Sequence, residues 1–261
     1  VHELGVIIGD VAARLESSDT RILAVARSRY AGFLGPRAPR WNVRLEVGGV
    51  SRPGADLQTT VDCGRVRLSR SDFVAHLEPD RHSGCATLVE PDRIALEAFL
   101  RVMWSIALPD AGGMLVHAAS VERNGRAFLF PGRSGSGKTT LCRLSRANQI
   151  LSDEMSLVCS MADGATCHGT PFAGELGIPG PNRAVPLSAV CMLEHGERHA
   201  LVRERPPGAL RALLPHVVHF VRDAGLTARV FAVAARLVEQ VPCFRLSFRR
   251  DPGFWDLLDA V

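Results

Sequence analysis

The segment Gly132-Arg133-Ser134-Gly135-Ser136-Gly137-Lys138-Thr139 restricts the fold of this chain more than any other. It fits G-x-x-x-x-G-K-[ST], a pattern that works between a strand and a helix, where loop amides converge on one point and the helix adds its positive end. Both neighbours are legible: Ala127-Phe128-Leu129-Phe130 reads as a strand, and a helix is expected from Lys138 to about Ala147. Glycines let the backbone close around phosphate oxygens. Lys138 is expected to reach the outer phosphates and Thr139 to offer its hydroxyl to Mg²⁺. The remaining loop residues (Gly132, Arg133, Ser134, Gly135, Ser136, Gly137), with Thr140, complete the expected nucleotide contacts.

Composition sharpens this reading at one residue. Of the 31 cationic side chains Lys138 is the only lysine, which leaves 30 arginines. The exception stands where a compact ammonium is needed and a planar guanidinium would not fit. Against 27 acids the net charge is only +4 in 261 residues, and the arginines are dispersed. With 6% aromatics and a single tyrosine there is no stacking platform, so nucleic-acid binding is not expected. Seven cysteines, an odd number with no C-x-x-C pair, read as reduced and mostly buried thiols. Residues 1–27 lack a basic head with an apolar run, and no stretch approaches a membrane span. A cytoplasmic protein without membrane contact is expected; homo-oligomerisation is left open.

The first ninety residues read as a β-rich subdomain around one helix. Alternation over Glu3 to Leu15 gives way to a helix reaching Phe33 that Ser17, Ser18 or Asp19 can cap, then to short alternating segments. Pro91 and Asp92 open a helix from Arg93 to Leu108, with Ile94, Leu96, Phe99, Leu100, Val102, Met103 and Ile106 on its apolar face. Strands and helices then alternate to the end, which indicates an α/β core. The expected domains are 1–90 and 91–261.

Asn124-Gly125, between Ser120-Val121-Glu122-Arg123 and Arg126-Ala127-Phe128-Leu129, is the mark of a two-residue type I′ hairpin. Paired positions then sum to 249, which sets His117 beside Gly132 and makes it a candidate ligand on the metal or phosphate side. Asp153-Glu154 follows Lys138 by fifteen residues, a gap that fits a short helix and a returning strand. Neighbouring strand residues face opposite ways, so an undistorted strand would present one acid to the nucleotide. Asp153 is favoured, as Mg²⁺ ligand or as base for an attacking hydroxyl. Glu194, ending the apolar strand Ala189 to Leu193, is the rival acid expected in a hydrolase that activates water.

Taken together, His117-Ala118-Ala119, the phosphate loop and Leu151-Ser152-Asp153-Glu154 resemble the C-terminal kinase domain of HPr kinase/phosphorylase and, more distantly, ATP-dependent phosphoenolpyruvate carboxykinase. The resemblance covers about Met114 to Val158. It implies an α/β phosphate-loop kinase core and an ATP- and Mg²⁺-dependent phosphotransferase, with Asp153 as base or metal ligand, Glu154 assisting and His117 near the metal or the transferred phosphoryl. The first ninety residues and the missing glycine-arginine signature differ from HPr kinase itself. The layout is more similar to HPr-kinase-related proteins of peptide-modification clusters, including kinases of lasso-peptide precursors, which implies a peptide or protein serine as acceptor. A small hydroxyl compound, a nucleotide hydrolase or switch, and a binding module without turnover remain open beside it.

The stretch from Cys167 through Pro181, rich in glycine and proline, reads as a lid or acceptor-binding loop. His168, Arg183 and Arg133 are candidates for touching acceptor or phosphate. His195, His199, His216 and His219 lack a clear third ligand and read as surface residues.

Overall fold

Asn124 and Gly125 have positive φ (53° and 74°), the backbone a type I′ turn requires, and they fix the register of the central hairpin. Arg123 pairs with Arg126, Val121 with Phe128 and Ala118 with Pro131, as the sum of 249 demands. The amide of Gly132 donates to the carbonyl of His117 at 3.3 Å. A computed structural model describes residues 1–261 apart from Arg52, Pro53, Ala55 and Ile178. The fold is mixed α/β, with two sheets and six α-helices among the described residues. The chain divides into two compact units, Val1–Ala111 with His219–Thr227, and Gly112–Val218 with Ala228–Val261.

The first unit contains β1 (His2–Ile8), β2 (Val11–Ser17), α1 (Thr20–Arg29), β3 (Trp41–Val47), β4 (Gln58–Asp62), β5 (Arg65–Arg70), β6 (Phe73–Glu78), β7 (Ser83–Leu88) and α2 (Arg93–Ala107). Its sheet runs β1-β2-β3-β7-β6-β5-β4. The alternation over Glu3 to Leu15 covers two strands: Ile8 pairs with Val11 across a Gly9-Asp10 turn in which Gly9 has φ 61°. Asp19 caps α1 by accepting from the amide of Arg21. Asp92 caps α2 by accepting from Ile94 and Ala95. Ile94, expected on the apolar face, is 62% exposed in the first turn, while Phe99 packs edge-on against Phe73 of β6. Helix α2 thus counts with the first unit, whereas the sequence boundary at residue 91 groups it with the second.

The second unit is built from β8 (Gly113–Arg123), β9 (Arg126–Pro131), α3 (Lys138–Leu144), β10 (Gln149–Ser152), β11 (Met155–Met161), β12 (Gly164–His168), β13 (Ala184–His195), β14 (Ala200–Glu204) and α4 (Pro206–Leu213). It is completed by α5 (Ala224–Gln240), whose first turn counts with the other unit, β15 (Cys243–Phe248) and α6 (Phe254–Asp259). Strands β8, β11, β12, β13 and β9 close a ring of pairings. Strand β9 runs parallel to β13, and β13 parallel to β15. Both faces of β9 are apolar because both are covered. Ala127 and Leu129 face a cluster with Ala209 and Leu213 of α4 and Val233, Ala234 and Leu237 of α5. Phe128 and Phe130 face Leu141 of α3 and Phe254, Trp255 and Leu258 of α6. Among the described residues no helix is long and apolar enough to cross a membrane.

Candidate functional site

The phosphate loop leaves the sheet at Pro131, where β9 ends and β8 continues past it. Beyond that point the place of β9 along β8 is taken by Val217, bridged to Val116, and by Val218, whose amide donates to Leu115 at 2.8 Å. The loop is therefore expelled from the sheet between two strand-like neighbours. It turns into α3 through Gly137, whose φ of 100° suits glycine alone.

Lys138 is 7% exposed, and its Nζ donates to the carbonyls of Gly132 at 2.7 Å and Arg133 at 2.9 Å. Burial lowers its pKa, opposed by the negative charges of Glu154 and Glu175 and by the Cys142 thiol. Ser136 Oγ is buried and has no hydrogen-bond partner among the described residues. A Cβ placed on Gly132 would stand 2.1 Å from that hydroxyl. An orphan hydroxyl beside a buried ammonium and converging amides is a donor set suited to phosphate oxygens.

The acidic pair is not in a continuous strand. Chain direction breaks between β10 and β11, so that Ser152 pairs with Ser120 and Met155 with His117, and Asp153 and Glu154 fall in the bend. Ser152 Oγ supports that bend by accepting from the amides of Glu154 and Met155, and the amide of Ala118 donates to Glu154 O. Because the strand is distorted, both acids line one cleft of about 440 Å³. Its other walls are His117, Ser134, Gly135, Gly137, Lys138, Thr139, Thr140 and Arg143, with Ala173, Gly174 and Glu175 of the glycine-rich loop.

The candidates of the phosphate loop, His117, Asp153 and Glu154 thus come together. His168 and Arg183 do not line this cleft. His168 is buried in β12 with its Nε2 3.1 Å from Thr166 Oγ1, and Arg183 is ion-paired with Glu122. Arg133 is exposed on the loop. Glu194 lies 3.5 Å from Arg245, which also holds Glu204, and it is outside the cleft lining. Sequence reading missed Glu175, Arg143 and His216. His216 is outside the cleft lining, and burial and then the charges of Lys138 and Arg133 lower its pKa. The only signal for Glu175 was its membership of the loop already read as an acceptor segment.

Fold and site define an α/β protein with a phosphate-loop motif opening onto a carboxylate-lined cleft. The family model of the SynChlorMet cassette protein ScmC matches residues 94–261, and the chain belongs to that family. No curated protein matches it. This finding corrects the resemblance to HPr kinase/phosphorylase, phosphoenolpyruvate carboxykinase and the lasso-peptide precursor kinases, because the matching family is not an HPr kinase family. The resemblance rested on short motifs between Met114 and Val158. A strand, a phosphate loop and a nearby acid solve one binding problem, so those motifs do not by themselves fix a family. The family match runs instead to the last residue.

Proposed function

We propose that the chain is an ATP- and Mg²⁺-dependent phosphotransferase with a phosphate-loop kinase core, moving the terminal phosphate to an acceptor hydroxyl such as a peptide or protein serine. The observation that carries this reading is the joining of Lys138, Thr139, His117 and Glu154 in one cleft. Loop amides, Ser136 Oγ and Lys138 bind the polyphosphate. Lys138 exchanges its two carbonyl partners for charged phosphate oxygens, which makes stronger hydrogen bonds. Thr139 would supply the protein ligand to Mg²⁺, an ion that keeps several waters and neutralises phosphate charge when bound. Glu154 accepts the proton of the attacking hydroxyl, and His117, in the same cleft lining, steadies the transferred phosphoryl. Positioning and electrostatics carry most of such a reaction. The pairing of Glu194 with Arg245, away from the cleft, gives no support to a hydrolase that activates water through this acid.

The test is incubation of the purified chain with γ-labelled ATP, Mg²⁺ and a panel of seryl peptides and small alcohols. Label on an acceptor hydroxyl, lost in Lys138→Ala and Glu154→Gln, is expected. Release of free phosphate that no acceptor alters would overturn the reading in favour of a hydrolase, and tight nucleotide binding without turnover would make it a binding module.

A further inference from the structure

The acid nearest the sheet is already engaged. Asp153 is 4% exposed, and its two carboxylate oxygens accept separate backbone hydrogen bonds, Oδ1 from the amide of Gly174 at 2.7 Å and Oδ2 from the amide of Leu176 at 2.8 Å. The donors lie more than twenty residues further along the chain, in the loop between β12 and β13. That loop is closed at its neck: the amide of Gly169 donates to Arg183 O, and the amide of Gly180 to Thr170 O. Thr170 anchors the neck to the bend that carries the acids, through its amide to Leu151 O and its hydroxyl to Met155 O at 2.7 Å. At the tip, Gly174 lies so close that a Cβ there would stand 2.7 Å from Glu154 Cβ and 3.1 Å from Asp153 Oδ2. Leu176 packs against the apolar cluster under α3 and α6. Glu175 is left exposed between these two held residues, at the rim of the cleft, and its charge is felt by Lys138.

We propose that Asp153 is a positioning residue that latches the 173–176 turn to the phosphate cleft, and that Glu175, presented by this latch, forms the acceptor-side wall and favours acceptors with a cationic group beside the hydroxyl. The specificity half of this inference rests on the phosphotransferase reading; the latch does not. A carboxylate whose two oxygens each hold an amide fixes both the distance and the orientation of a turn, which a single hydrogen bond would not. An asparagine has one acceptor oxygen and would turn an NH₂ group toward the second amide. The wall therefore loosens in Asp153→Asn although the residue keeps its shape.

Hydrogen exchange of the 173–177 segment in the full chain tests the latch, and steady-state kinetics test its consequence. Asp153→Asn is expected to speed exchange there by about tenfold or more, the weight of a hydrogen bond to a charged group. It should raise the acceptor KM while kcat and ATP binding change far less. Gly174→Ala, whose Cβ would press on Asp153 and Glu154, also speeds exchange and serves as the exchange test if the Asp153 variant does not fold. Glu154→Gln leaves exchange slow and lowers kcat instead. Glu175→Arg leaves exchange slow and shifts preference from arginine-flanked toward aspartate-flanked seryl peptides by about two- to fivefold, the range of an exposed ion pair. Unchanged exchange with a collapse of kcat in Asp153→Asn would overturn the latch and return Asp153 to the role of base. Unaltered peptide preference in Glu175→Arg would overturn the wall. If the wild-type chain phosphorylates no acceptor, the phosphotransferase reading and the wall fail together, and exchange alone still decides the latch.

Discussion

Lys138 Nζ lies 2.7 Å from the carbonyl oxygen of Gly132, the first glycine of its own loop, so the cation expected to hold phosphate is held by the loop backbone. Burial opposes its charge. Lys138→Met removes a buried ammonium, keeps the aliphatic stem and gives up two carbonyl hydrogen bonds, opposing effects that should leave the unliganded variant melting close to the wild-type temperature. Nucleotide should then stop mattering. At about a hundred times Kd, ATP with Mg²⁺ stabilises a binding protein by about 2.7 kcal/mol, and this shift should vanish in the variant. Thermal unfolding with and without nucleotide measures both; a retained shift would show that Lys138 is not in the phosphate site.

Gly132 has no room for a side chain. An alanine Cβ would meet Ser136 Oγ at 2.1 Å and Ser136 Cβ at 2.9 Å, and that hydroxyl has no hydrogen-bond partner among the described residues. Gly132→Ala should displace the loop, cost about 1–3 kcal/mol of overpacking strain, and weaken nucleotide binding by at least about tenfold. Gly32→Ala, where nothing lies within 4 Å of the added carbon, is the matched control and should bind normally. Titration with a fluorescent nucleotide separates the two.

Local rules made the centre of this site legible and failed where contacts are distant. Asn124-Gly125 sets its own backbone, so the pairing of His117 with the start of the loop could be counted out by hand. The run Ala127 to Phe130 reads as a strand, and its two apolar faces follow from helices on both sides. The bend at Asp153-Glu154 was not legible, because Leu151, Met155 and Leu157 keep one phase on either side of it, and the Ser152 hydroxyl that holds two amides there is a contact sequence does not show. The tie from Asp153 to Gly174 and Leu176 has no period at all. Ile94 misled because it is apolar yet stands on the side of α2 that carries Glu97 and Arg101, three and seven residues on, while Ala95 and Leu96 of the same turn are buried. The Gly9-Asp10 turn shows in the sequence only as a change of phase, with Leu4, Val6 and Ile8 buried before it and Val11, Ala13 and Leu15 after it.

Trp255 of α6 is 3% exposed and meets Phe128 and Phe130 edge-on, with ring centroids 5.4 and 6.1 Å away. Its Nε1 donates to Ser145 Oγ at 3.2 Å, just past the end of α3. One side chain thus joins the last helix to the strand that precedes the phosphate loop and to the helix that follows it. Trp255→Ala should cost about 3–5 kcal/mol, the usual range for emptying such a site. Trp255→Phe, which keeps most of the volume and loses the donor, should cost much less. Denaturant unfolding at equilibrium gives both values, and a loss below about 1 kcal/mol for the alanine variant would mean that α6 is not part of the cooperative core.

His216 gives the protein a defined response to acid. Burial, then the positive charges of Lys138 and Arg133, lower its pKa in the folded state, while the unfolded chain keeps a value near 6.5. Between those two values the unfolded state holds the extra proton, so stability declines as pH falls through about 6.5 and levels off once the folded-state pKa is passed. His216→Asn should remove that part of the decline between about pH 7.5 and 5.5, and urea unfolding across this range measures it. Nucleotide works in the opposite direction: polyphosphate charge offsets Lys138 and Arg133, so the His216 pKa should rise on binding and protons should be taken up. A histidine titration followed by NMR with and without ATP reads this directly, and a pKa that ignores nucleotide would place His216 outside the field of the phosphate site.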